Sequence, residues 1–148
     1  MTTPTSQASG PGALTVRAVR GAVQVASDDP ALIEQATGDL LGEILRRNGL
    51  GDADLISIVF TTTHDLRSAF PAAAARKLGL IDVPLLCTAE IAVPGSLHRV
   101  VRILAHVHSR RPREAMHHVY LGAAAALRPD LGAPAPAPTS DVPLPQGA

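Results

Sequence analysis

Residues 97–108 read LHRVVRILAHVH, and two regular structures fit them. As a helix, Leu97, Val101, Leu104 and His108 line up at helical spacing on one side. As a strand, Val101, Ile103, Ala105 and Val107 fall on one face, with Val100, Arg102, Leu104 and His106 on the other. Periodicity alone does not decide between the two, and we read the stretch as a strand. The same choice arises at 117–127, where the AAAA run favours helix by raw propensity, while a strand places Tyr120 and Arg128 on one face. We read this segment as a strand too.

Working upstream, Pro94-Gly95 marks a turn, and Val83 to Cys87 reads as a short strand. SAFPAAAARKLGL (68–80) is a short helix or helical turn around Pro71. Leu55 to Thr61 (LISIVFT) is β-branched and apolar, which predicts a strand. SDDPALIEQATGDLLGEILRRNGL (27–50) carries helix signals: Asp28 or Asp29 as cap, Pro30 in the first turn and Gly49 as the stop. Its buried stripe is expected to be Leu32, Ile33, Ala36, Leu40, Ile44 and Leu45. A first strand runs from Leu14 to Val19 and ends at Arg20-Gly21. The expectation is an α+β domain with a mixed five-stranded sheet, packed by one long helix and a short helix or 3-10 segment.

The ends differ in composition. Residues 1–13 are rich in Thr, Pro, Ser, Gly and Ala, and 132–148 read GAPAPAPTSDVPLPQGA. Both are read as flexible tails around a domain at 14–131. The 148-residue chain is charge-balanced, with Lys+Arg 13 and Asp+Glu 13, so no global field draws it to nucleic acid or to a membrane surface. The single cysteine, Cys87, excludes an intrachain disulfide and a zinc cluster. Residues 1–13 lack the basic segment and apolar stretch of a secretory signal, so none is expected, and no apolar run nears the roughly 18 residues of a membrane helix. A cytoplasmic protein is the expectation.

Two charges are conspicuous in this pattern. Glu90 follows the apolar run at 83–87, and Arg102 sits inside the next one. A charge buried without a partner is costly, so each must meet the other, water or a molecule that is not protein. No phosphate-cradling glycine loop, HExxH or GxSxG is present. Histidines at strand spacing (His106 with His108) and in tandem (His117-His118) lack an acidic or cysteine partner in a recognisable metal pattern. No metal is expected.

Five stretches occur in order: VRAVRGA (16–22), AFPAAAAR (69–76), VPLLCTAE (83–90) with Arg102 after it, HHVYL (117–121) and LRPDL (127–131). Together they resemble the monofunctional chorismate mutases of the trimeric pseudo-α/β-barrel class. The resemblance implies a homotrimer whose three sheets form the barrel, with active sites between subunits. It implies conversion of chorismate to prephenate on the way to phenylalanine and tyrosine, with no cofactor. Arg102 would bond the ether oxygen and a carboxylate, Arg20 would bind a carboxylate with help from Tyr120, and Glu90 would take the ring hydroxyl near Cys87. Phe70 would pack on the apolar part of the substrate, and Arg76 and Arg128 would lie at the mouth. Ala72, Ala73 and Leu127 complete the implied binding set.

One position departs from the family pattern: Ala73 stands where lysine is frequent. That leaves more of the carboxylate binding to Arg76 and Arg128, with a weaker ground-state term. Two other classes are compatible with parts of this pattern. One is a non-catalytic trimer that binds a small carboxylate, and the other is an imine/enamine deaminase on a similar barrel.

Overall fold

The computed structural model describes residues 12–127. Five strands and two helices follow one another as β1 (Thr15–Gln24), α1 (Pro30–Arg47), β2 (Leu55–Thr62), α2 (Ala72–Lys77), β3 (Leu85–Ala89), β4 (Val100–Ser109) and β5 (Val119–Leu121). The strands form one mixed sheet in the order β3-β2-β4-β1-β5. The two outer pairs, β2 with β3 and β1 with β5, are parallel, and β4 runs antiparallel to both of its neighbours. The mixed five-stranded sheet with one long and one short helix is therefore present.

The strand reading of 97–108 holds from Val100 onward, because β4 is the central strand. Burial alternates along it: Ile103, Ala105 and Val107 are buried, while Leu104 and His108 are exposed. The buried row faces α1, whose Ile33, Leu40, Leu41 and Ile44 are fully buried against it, together with Phe60, Val19 and Val119. Helix α1 starts where Asp29 caps it, accepting from the Leu32 N–H at 3.1 Å, with Pro30 in its first turn. It ends at Asn48, and Gly49 then takes φ +61. Asn48 is buried, yet its amide is satisfied: Nδ2 donates to the carbonyls of Ile44 and His117, and Oδ1 accepts from the His117 N–H. This ties the end of the helix to the segment entering β5.

Several expected boundaries move. Strand β1 does not stop at Arg20-Gly21 but continues to Gln24. Gly21 serves a close approach instead, since a Cβ there would come within 2.9 Å of the Ile44 Cδ1 and 3.0 Å of the Leu40 Cδ1. Strand β3 is shifted two residues, starting at Leu85 and running to Ala89. The strand expected over 117–127 is confined to Val119–Leu121; the alanines form a 3-10 turn over Gly122–Ala126, beginning at a glycine with φ +59. In α1, Leu32 is exposed, and Thr37 and Leu41 take the buried positions the stripe omitted. Residues 1–11 of the first tail, Arg128 and the whole of the second tail lie outside the described residues.

Among the described residues, neither α1 nor α2 packs on the second face of the sheet. Val16, Leu104 and Leu86 stand on it with 58%, 37% and 62% of their surface exposed. Among the described residues, one end of this face is covered, where Ala22, Val100, Tyr120 and Ala124 form a small apolar cluster with Leu97 and Leu127.

Candidate active site

The strand registers assemble a row across the open face. Tyr120 pairs with Ala22, Ala22 with Arg102, Arg102 with Thr61, and Thr61 with Thr88. Residues in register share a face, so Tyr120, Arg102 and Thr61 stand on the same side of the sheet. Arg20 is one side-chain step away along β1, in register with Leu104.

Glu90 and Arg102 meet each other. The Arg102 Nε donates to the Glu90 Oε2 at 3.0 Å, and the same oxygen accepts from the Thr61 hydroxyl at 2.6 Å. The Glu90 side chain is 16% exposed and that of Arg102 33%. Glu90 is also held through its main chain, its N–H donating to the Thr62 carbonyl at 3.0 Å and its carbonyl lying 2.7 Å from the His64 Nε2. The η nitrogens of Arg102 and the Oε1 of Glu90 make no hydrogen bond among the described residues.

The segment from Glu90 to Arg102 is pinned at its second end as well. Arg99 sits at φ +53, a conformation costly for a residue with a Cβ. Both oxygens of Asp65 accept its N–H at 3.1 Å, and the Thr63 hydroxyl donates to the Asp65 Oδ1 at 2.5 Å. That hydroxyl in turn accepts from the Val100 N–H at 3.0 Å. Burial raises the Asp65 carboxyl, but the Thr63 hydroxyl and the Arg99 N–H outweigh it and hold it below the ordinary value. The Arg99 Nε donates to the Val25 carbonyl at 2.9 Å, extending the clamp to the end of β1.

Phe70 and Cys87 lie together in a groove of about 350 Å³ that also includes Arg67, Thr88 and Ala89. Phe70 is 74% exposed there. Cys87 is in register with the buried Phe60 and packs against the helix-side core, so its side chain and that of Arg102 stand on opposite faces. Arg76 is exposed in the last turn of α2, Ala72 is buried in the core and Ala73 is half-buried. Leu127 packs against the Tyr120 cluster. Neither Asp28 nor Asp29 holds Arg20: Asp28 takes the Ser68 hydroxyl and the Arg67 N–H, and Asp29 caps α1. The Arg20 N–H donates to the His118 Nδ1 at 3.0 Å, which puts the proton of a neutral His118 on Nε2. Among the described residues, no three histidine, cysteine, aspartate or glutamate side chains cluster as metal ligands. None of the described helices is long and apolar enough to cross a membrane.

Comparison with known families places residues 16–131 on the family described as chorismate mutase type I. The chain belongs to that family. Chorismate mutase AroH of Thermus thermophilus is 50% identical to this family member over 117 residues, covering 78% of this chain and 96% of the relative. Chorismate mutase AroH of Bacillus subtilis is 36% identical over 119 residues, covering 80% and 94%. A solved chorismate mutase from Clostridium thermocellum superposes with a TM-score of 0.72 at 44% identity, covering 72% of this chain and 96% of that one.

Sequence reasoning missed Thr61 and the Thr63–Asp65–Arg99 clamp in this mutase. The only signal for Thr61 was its place at the end of an apolar strand, where threonine is ordinary. Its partner, Glu90, is 29 residues away in sequence.

Proposed function

We propose that this chain, a chorismate mutase, converts chorismate to prephenate at a site centred on Arg102 and Glu90 and shared between neighbouring copies of a homotrimer. The reaction is an intramolecular [3,3] rearrangement in which one C–O bond breaks and one C–C bond forms. No proton moves and no nucleophile attacks, so the protein has two tasks. It holds a flexible dianion in a compact, chair-like geometry, which is an entropic gain. It also stabilises negative charge developing on the ether oxygen.

The observation that carries this assignment is the state of Arg102 in a chain that is half identical to a chorismate mutase. Its Nε is fixed by Glu90 while its η nitrogens stay uncommitted among the described residues. A guanidinium held at one corner presents its remaining donors in a set direction. We assign those donors to the ether oxygen and one carboxylate, and the Glu90 Oε1 to the ring hydroxyl. Arg20, with Tyr120 beside it, takes a carboxylate. Phe70 packs on the apolar part of the substrate, the Cys87 main chain lies near the hydroxyl, and Arg76 and Arg128 close the mouth.

A shared site accounts for the distribution of these groups. Arg102 and Tyr120 are on the open face, whereas Phe70 and Cys87 line a groove beside α2. One copy would bring its groove to the open face of the next. The exposed Val16, Leu86 and Leu104 supply apolar surface for that contact. Aromatic amino acid synthesis in the cytoplasm is the setting such an enzyme serves. The test is direct: purified protein is mixed with chorismate, and prephenate is followed. Folded protein that gives no prephenate overturns the assignment.

A further inference from the structure

We infer that Thr61 is a positioning residue, which prevents Glu90 from quenching Arg102. The inference deepens the reading of Glu90 and Arg102 as the centre of the site and rests on it. A free arginine and carboxylate prefer to pair through two parallel hydrogen bonds. Here the pair has one, from the Arg102 Nε to the Glu90 Oε2 at 3.0 Å. What differs from a simple pair is the third group, the Thr61 hydroxyl, which donates to that same oxygen at 2.6 Å.

With two donors on Oε2, the carboxylate is anchored at one corner and its Oε1 is left over. The backbone of Glu90 is bound on both sides as well, to the Thr62 carbonyl and to the His64 ring. Three groups from the 61–64 segment thus fix Glu90, and its rotamer freedom is given up on folding rather than on binding. Without the hydroxyl, Oε2 would keep only Arg102 as a partner among the described residues. The carboxylate could then rotate to meet the guanidinium with both oxygens, and the substrate-facing donors and the free Oε1 would be consumed together.

The residue type suits this task. Thr61 is in register with Arg102 across β2 and β4, so their Cβ atoms are about 5 Å apart. Its short, χ1-restricted side chain delivers a hydroxyl beside the guanidinium without reaching past it. Valine has the same shape without the donor, and serine has the donor without the methyl.

The test uses Thr61→Val, Thr61→Ser and Glu90→Gln in the full chain. T61V is expected to lower kcat/KM by roughly 10- to 100-fold, the range for loss of a hydrogen bond to a charged group. T61S is expected to stay within about 3-fold of wild type, because the donor is retained. In the E90Q background, T61V should cost less than about 2-fold more, since its effect passes through the carboxylate. An equal loss in both backgrounds, or a T61S as impaired as T61V, overturns the proposal. Turnover by the unmutated protein tests the reaction itself, and E90Q alone tests the role of Glu90. A crystal structure of T61V tests the role of Thr61 independently of turnover. Bidentate Glu90–Arg102 pairing supports it, and an unchanged single bond refutes it.

Discussion

Arg102 donates through Nε to Glu90, and its η nitrogens make no hydrogen bond among the described residues. Lysine cannot divide its work in this way. An ammonium is a point charge, so in Arg102→Lys it either pairs with Glu90 or reaches the ether oxygen. We expect kcat to fall by roughly 10²–10³, as when a donor to developing charge is removed, with KM changed much less. Steady-state kinetics check this, and a near-wild-type kcat would contradict the role given to Arg102. Because no protein group exchanges a proton during the rearrangement, kcat should be nearly flat across neutral pH. A bell with limbs near about 6 and 8 would indicate acid/base chemistry instead. Glu90 and Arg102 were legible in the sequence because a lone charge in apolar surroundings demands a partner. That the two would meet each other was not, since the pairing depends on β2 and β4 being neighbours. Tyr120 was read from resemblance as a hydroxyl donor, and the structure adds that its ring packs with Ala22, Val100 and Ala124.

At the scale of elements, helix α1 has one flaw in its buried face. Thr37 is fully buried, and its hydroxyl has no hydrogen-bond partner among the described residues. Valine keeps the shape and removes the unpaired group, so Thr37→Val should stabilise the fold by about 1 kcal/mol, measured as a shift in the urea midpoint with an unchanged slope. A destabilised variant would mean the hydroxyl is satisfied in solution. This position was invisible to the stripe drawn from apolar residues, because threonine does not announce which way it faces. Strand β4 was ambiguous for a different reason: its apolar residues satisfy both periods, and only flanking by β1 and β2 makes the strand pay. The glycine at 21 read as a stop because glycine usually punctuates, whereas here it admits Ile44 and Leu40 to the sheet. The alanine run kept its helical tendency as a 3-10 turn, and the strand before it lasts only as long as it pairs with β1.

For the whole molecule, acid and assembly are the two stresses the structure speaks to. The Arg46 and then the Arg47 hydrogen bonds lower the Glu43 carboxyl from 4.5 to about 2. Asp28 is lowered by the Ser68 hydroxyl and the Arg67 N–H, and Asp65 is lowered as described above. A carboxylate whose pKa is depressed by folding stabilises the fold above its unfolded value and loses that contribution as pH falls through the folded one. The melting temperature should therefore hold near neutrality and decline from about pH 4.5 towards about 2, with Glu43→Gln reducing the slope. The assembly prediction turns on Leu104, which is 37% exposed at the centre of the open face. A carboxylate there meets water in a single chain, so Leu104→Glu should leave the far-UV circular dichroism intact. In a trimer built on that face the same carboxylate is desolvated without a partner, at a cost large enough to break the contact. The variant should sediment as a monomer and lose turnover, because the open-face residues and the groove then belong to separated chains. Leu104→Ala removes apolar contact without adding charge, so its specific activity should fall on dilution by mass action and return on concentration. That reversible dependence separates loss of assembly from damage to nearby Arg20, and wild-type protein that turns over as a monomer would refute the shared site.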